Sequence, residues 1–210
     1  SKRDSRCYGK KSMAVKNRIR GTTVMLSSKL KEKIKNHQKP IGMIMTFDFW
    51  PGYLEIMKKN GLDFVIVDCE HGAPGNERLE ELCRLGRALD FPVIVRPAWC
   101  DYIQIKKAID IGAGGLMIPW VETVEQLDLI EKSVFSPPRG IHDMGGPSIM
   151  AAGGIRAKDW AELEAGLFVT CQIETPLGVE LVNEIASRDF LDVVMTGPYD
   201  LAHNMGLLDS

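Results

Sequence analysis

Hydrophobic residues in this chain fall into short dense runs, separated by longer stretches where they recur every third or fourth position. The run Phe64-Val65-Ile66-Val67 is β-branched, far too short to cross a membrane, and closes in Asp68-Cys69-Glu70-His71-Gly72. Such a run reads as a buried strand whose carboxyl end carries polar chemistry. Further strands are expected at Ile41–Phe47, Phe91–Val95, Gly115–Pro119, Leu167–Ile173 and Asp192–Thr196, with the second over 63–68. Helical spacing fills the gaps. Leu30 and Ile34 sit one turn apart over 28–36, and Pro51 opens a helix with Tyr53, Leu54 and Met57 on its buried stripe and Gly61 as its stop. Leu79, Leu82, Cys83 and Leu85 share the inner face of a helix over 76–89. Further helices are expected over 102–110, 123–133, 157–165 and 177–187. Residues 136–156, rich in Gly and Pro, read as a long loop, of the kind that usually covers a site.

Strands alternating with helices at this spacing imply βαβ units and a parallel sheet, and each run is apolar as strands covered on both faces must be. An open doubly wound sheet fits a count of six. A (β/α)8 TIM barrel fits better the polar residues that end strand after strand, because barrel sites draw on many strand ends. A barrel needs two units more than this pattern contains, so the expected fold is an α/β barrel truncated after its sixth strand. Residues 1–27 are expected to form a basic, flexible arm and 28–210 a single, incomplete barrel domain.

The 210 residues are 45% hydrophobic and 26% charged, as expected of a soluble globular protein. The net charge of −2 argues against general affinity for nucleic acid, and no apolar window suits a membrane span. That total hides an asymmetry: residues 1–40 hold 13 of the 26 Lys and Arg but only 2 of the 28 acids. A basic, acid-poor leader suits either an organellar targeting segment or a solvated tail. Five cysteines without a CxxC or zinc-like spacing imply free thiols in a reducing compartment, and the expected location is cytoplasmic.

The strand ends collect one set of chemistry: Asp68, Glu70 and His71 from the second, Arg96 from the third, Pro119-Trp120 from the fourth. The fifth supplies Gln172 and Glu174, and the sixth Tyr199 and Asp200. Gln172 and Glu174 share a face by strand alternation. Glu174 and Asp200, from neighbouring strands, can converge on one hard cation, with Mg²⁺ or Mn²⁺ favoured over structural zinc. Arg96 offers a planar fork for a carboxylate or a developing oxyanion. His71 is the natural proton acceptor, with Asp68 placed to orient it. This set suits a 2-oxo acid that loses a C3 proton and adds to an aldehyde, or the reverse cleavage.

At these residues the chain resembles the HpcH/HpaI family of metal-dependent class II pyruvate aldolases. The resemblance runs from about Leu30 to Gly206. Its segments are D-F-V-I-V-D-C-E-H-G, V-R-P-A-W, I-D-I-G-A-G-G-L-M-I-P-W-V-E-T, P-P-R-G, Q-I-E-T and G-P-Y-D-L. It implies His71 as proton acceptor and Arg96 as transition-state stabiliser, with Asp110 raising the basicity of the active-site histidine, a contact that can cross a subunit boundary. It further implies Glu174 and Asp200 as metal ligands (Mg or Mn, with Co or Zn as alternatives) and substrate contacts from Gln172, Arg96 and the backbone at Tyr199 and Asp200. The substrates would be pyruvate and an aldehyde, and the assembly a homo-oligomer, hexameric in the family.

Three features depart from the family pattern. Position 199 is usually small, so Tyr199 would reshape the acceptor pocket. Ile141-His142-Asp143 stands where a second arginine is more common. The last two βα units, and the final helix that members of the family exchange between subunits, are absent from the pattern, which would leave apolar edges exposed. Two other functions stay open: a CoA-ester lyase of the citrate-lyase β-subunit type, which the acidic balance of residues 41–210 opposes, and a degenerate barrel that keeps a ligand site. Trp99 and Trp120 suit packing and pocket walls equally, Asp110 could be a simple helix-end carboxylate, and His37, His142 and His203 read as surface residues.

Overall fold

The computed structural model describes residues 27–143, 145, 146 and 157–208. The basic arm expected over residues 1–27 lies outside these except for Ser27, as does most of the loop expected over 136–156. Ser27 itself is buried, and its hydroxyl donates to the Gly114 carbonyl.

The element order is α1 (Ser28–Lys35), β1 (Gly42–Met45), α2 (Gly52–Lys59), β2 (Phe64–Asp68), α3 (Asn76–Leu89), β3 (Val93–Arg96), α4 (Tyr102–Ile111) and β4 (Gly115–Ile118). It continues with α5 (Val124–Val134), α6 (Ala157–Gly166), β5 (Phe168–Ile173), α7 (Pro176–Glu180), α8 (Val182–Ser187), β6 (Val193–Thr196) and α9 (Pro198–Asn204). All strand pairs are parallel, and the spatial order follows the chain order, β1-β2-β3-β4-β5-β6. A doubly wound sheet reverses its strand order at a switch point; this sheet never does, which is barrel topology. Among the described residues six strands of a barrel are present, with β1 and β6 at the two edges of the sheet.

Strand alternation sorts the core into two layers. Val65, Val67, Val93, Val95, Leu116, Ile118 and Val169 pack outward against Leu54, Leu82, Ile105, Ile109, Leu127, Ile130 and Ile185 from the helices. Ile66, Ile94, Met117 and Phe168 point to the concave side, where Leu30 of α1 closes the amino-terminal end. A hollow of about 260 Å³ between Leu30, Ile34, Ile66, Met117 and Met195 remains on that side. Full burial of each such aliphatic side chain contributes about 1.5–3 kcal/mol.

Helix ends follow local chemistry. The Asp101 side chain accepts the Gln104 N–H, Thr123 and Gln126 form a capping box, and Thr175 accepts the Gly178 N–H ahead of Pro176. Gly112, at φ 101°, ends α4 in the left-handed conformation. The single helix expected over 177–187 is instead α7 and α8, broken at Leu181 (ψ −2°), in a stretch holding the weak helix formers Gly178, Val179 and Val182.

Candidate active site

The alternation that turns Ile66, Ile94 and Phe168 inward carries Asp68, Arg96 and Gln172 to the carboxyl rim of the same concave face. Asp68 and Arg96 are register partners on β2 and β3. Both are buried. The Arg96 fork donates to the Asp68 carboxylate through Nε (2.8 Å) and Nη2 (2.7 Å). Burial alone would raise the Asp68 carboxyl; the bonds and charge of Arg96, with the His71 and Glu70 N–H groups, hold it below its ordinary value. The same pairing keeps Arg96 charged despite its burial.

From Arg96 the network continues inward. Nη1 donates to Gln172 Oε1 (3.4 Å), and Gln172 Nε2 donates to Glu174 Oε1 (3.2 Å). Glu174 Oε2 accepts the backbone N–H of Trp120 (2.9 Å), presented by a residue at φ 53°. Glu174 is 1% exposed, and burial pushes its carboxyl pKa up, with the charges of Glu70 and Asp200 adding to the rise. Glu70 is likewise raised by burial, against the opposing pull of Arg96 and His71 and with help from Asp68 and Asp200. Glu70 Oε2 lies 3.1 Å from Arg96 Nη1 and 3.8 Å from His71 Nε2. The carboxylates of Glu70, just after β2, of Glu174, just after β5, and of Asp200, in the first turn of α9, therefore feel one another's charge.

His71 stands at the mouth with its side chain 55% exposed. Asp68, expected to orient it, accepts its backbone N–H (3.2 Å), and the nearest ionisable partner of the ring is Glu70. The register explains this: Asp68 faces Arg96 directly and spends its carboxylate there. Asp110 falls elsewhere. It lies in the last turn of α4, which runs back to the amino-terminal side of the sheet, so its own chain does not bring it to His71. Its carboxylate pairs with Lys106, and its Oδ1 lies 3.5 Å from His142 Nε2. His142, expected at the surface, is fully buried, with Nδ1 2.9 Å from the Ser133 carbonyl oxygen. Tyr199 is 74% exposed beside Asp200, Trp99 is 53% exposed, and Trp120 is half-buried.

Four contributions were not read from the sequence, which offered Trp120 only for its side chain, as packing or a pocket wall. Thr46 donates its hydroxyl to Asp68 Oδ2 (3.1 Å). The Trp120 N–H fixes Glu174. Asn204 Nδ2 donates to the carbonyls of both Glu174 and Asp200 (2.9 Å each), tying β5 to α9. Gly197 faces the Glu174 carboxylate so closely that a Cβ there would lie 2.4 Å from Oε1. Asn204 follows Asp200 by one helical turn, a spacing that could have flagged it. Cys69 is no nucleophile: burial and the Asp68 charge push its thiol up to about 11.

The sequence pattern described as HpcH/HpaI aldolase/citrate lyase matches residues 49–210. The chain belongs to this family. It is 33% identical over 181 residues to the hydroxypyruvate/pyruvate aldolase of Sagittula stellata, covering 85% of this chain and 70% of that protein. It is 36% identical over 169 residues to the 4-hydroxy-2-oxovalerate aldolase of Novosphingobium aromaticivorans, covering 76% and 63%. The crystal structure of an HpcH/HpaI aldolase from Desulfitobacterium hafniense superposes with a TM-score of 0.79 at 27% identity, covering 88% of this chain and 70% of that one. The chain thus spans roughly two thirds of the length of these relatives.

Carboxylate oxygens are the kind of donor a hard divalent cation takes. Among the described residues no group of three or more His, Cys, Asp or Glu is spaced to hold a metal ion. Two carboxylates remain as the candidates: Glu174, which is buried and accepts hydrogen bonds from Gln172 and the Trp120 N–H but from no cation among the described residues, and Asp200. The room opposite Glu174 exists because residue 197 has no side chain. No described helix is long and apolar enough to cross a membrane.

Proposed function

We propose that this chain carries the reaction centre of a metal-dependent class II aldolase, which cleaves or forms 4-hydroxy-2-oxo acids by way of the pyruvate enolate. The observation that carries this reading is the unbroken network Asp68–Arg96–Gln172–Glu174, which sets a fixed cation beside a buried carboxylate on one rim. Glu174 and Asp200 are the residues that would hold a divalent ion. When bound, that ion supplies positive charge beside the 2-oxo group as negative charge develops on it.

The protein's own groups do the rest. Gln172 and Arg96 orient the 2-oxo acid, and Asp68 holds the guanidinium rigid so that no reorganisation is needed as charge builds. His71 accepts the proton from the 4-hydroxyl, the C3–C4 bond breaks, and the electron pair passes into the enolate as the aldehyde leaves. The imidazolium then gives that proton to C3 of the enolate, which completes pyruvate and leaves His71 neutral. In the synthetic direction the same imidazole takes a C3 proton from pyruvate and returns it to the new 4-oxygen as the C3–C4 bond forms. Asp110 reaches His71 from a second copy of the chain, since within one copy it faces the opposite end of the sheet. This makes the working enzyme a homo-oligomer.

The test is proton exchange at C3 of pyruvate in D₂O, followed by NMR with and without Mn²⁺. Exchange that requires the metal and is lost in His71→Ala is the expected result. Exchange that ignores a chelator, or survives that substitution, removes the reading.

A further inference from the structure

The rim around the reaction centre is acidic and aromatic. The segments that follow the strands, residues 46–51, 69–75, 97–101, 119–123, 174–175 and 197–204, contain no lysine or arginine. Arg96, at the end of β3, is the one such cation at these strand ends, and its fork is already bonded to Asp68 and faces Glu70. Glu70, Glu174 and Asp200 lie within electrostatic reach of one another. One divalent cation offsets only part of that charge. A second carboxylate on the aldehyde would meet repulsion here and, among the described strand-end residues, no free cation.

The same segments carry large aromatic side chains that stay open to solvent: Phe47 (94% exposed), Trp50 (54%), Trp99 (53%) and Tyr199 (74%). Each stands close in sequence to a site group. Phe47 follows Thr46, which bonds Asp68; Trp99 is three residues beyond Arg96; Tyr199 precedes Asp200. Phe49 packs against the turn after His71, where a Cβ on Gly72 would lie 2.7 Å from its ring. Trp50 is held in place: its backbone N–H donates to the Asp48 carboxylate, and its ring meets Tyr53 edge-on at 5.2 Å, with the Tyr53 hydroxyl also bonded to Asp48. Exposed aromatics grouped at a site mark a ligand surface, and rigid ones bind at low entropic cost.

We propose that the acceptor is an uncharged aromatic aldehyde, held against Tyr199, Trp99 and the Phe47–Trp50 loop. This rests on the aldolase reading and names the second substrate of that site. Ring stacking supplies the binding, and the acidic rim excludes aldehydes that carry a carboxylate.

Two measurements decide it. In the first, pyruvate is incubated with benzaldehyde and succinic semialdehyde together, so that the product ratio gives the ratio of kcat/KM whatever fraction of enzyme is active. Benzaldehyde is expected to win by about tenfold, and its advantage over acetaldehyde to fall about tenfold in Tyr199→Ala and in Trp99→Leu. In the second, saturation-transfer NMR of benzaldehyde without metal should show ring protons in contact with the wild-type chain and a loss of that signal in Tyr199→Ala. A preference for succinic semialdehyde would overturn the proposal. So would aldehyde ratios unmoved by both substitutions, including the case where those variants change only the oligomeric state. C3 exchange of pyruvate separates the two failures: with exchange intact only the acceptor is wrong, and without it the aldolase reading fails too.

Discussion

Asp68 and Arg96 face each other across adjacent parallel strands, joined by two hydrogen bonds with almost no solvent access. Removing one partner of such a buried pair strands the other charge, which costs about 3–5 kcal/mol. Asp68→Asn is therefore expected to lower the unfolding free energy by about 3 kcal/mol, measured by urea titration, and to reduce activity through a guanidinium that no longer holds its angle. The pH dependence has a definite sign. The folded Asp68 carboxyl lies below its ordinary value, so its stabilisation is present above that ordinary value and is lost as pH falls through the folded one. The variant should lose this acid-side component of the wild-type stability curve.

Glu174 has the opposite sign. Its carboxyl is raised by burial, so ionising it costs stability, absent below the ordinary carboxylate value and growing as pH rises through the folded one. Glu174→Gln should leave the metal-free protein as stable as wild type or a few degrees more so (about 1 kcal/mol or less). It should also abolish the rise in Tm that Mn²⁺ produces. That rise should be larger at pH 7.5 than at pH 5. Differential scanning fluorimetry across pH, with and without Mn²⁺, reads all three.

Gly197→Ala tests the room opposite that carboxylate. The added methyl would stand against Glu174 Oε1, so Mn²⁺ affinity should fall about tenfold or more while far-UV circular dichroism stays native. Unchanged affinity would show that the cation does not use this side of Glu174.

Asp110 and His71 offer a complementation test. If Asp110 serves a neighbour's histidine, Asp110→Ala and His71→Ala chains, each inactive alone, regain activity when dissociated and reassembled together. About a quarter of sites then receive both groups in a random mixture. No recovery on mixing would assign Asp110 to a structural role with Lys106 and His142.

Much of this was legible from apolar spacing, and the reasons are local. Strands covered on both faces must be apolar runs, so β1 to β6 appear in the sequence within a residue or two of where they lie. The polar residue that ends each run marks the rim, and alternation places Gln172 and Glu174 on one face. What spacing cannot carry is register across strands. Asp68 stands three positions from His71 in sequence, yet its Cα partner is Arg96, and that pairing decides what the carboxylate holds. His142 looked like a surface residue because the loop around it has no period; its burial comes from packing against Ser133 and Asp110. Thr46, the Trp120 N–H and Gly197 act through the backbone or through short contacts across elements, which no single-segment pattern displays.

The proposed aldolase reaction requires one divalent cation at Glu174 and Asp200. Titration of Mn²⁺ followed by electron paramagnetic resonance, with pyruvate present, counts that site directly. One Mn²⁺ per chain, lost in both Glu174→Gln and Asp200→Asn and retained in Trp99→Leu, is the expected result; wild-type binding in either carboxylate variant would contradict it.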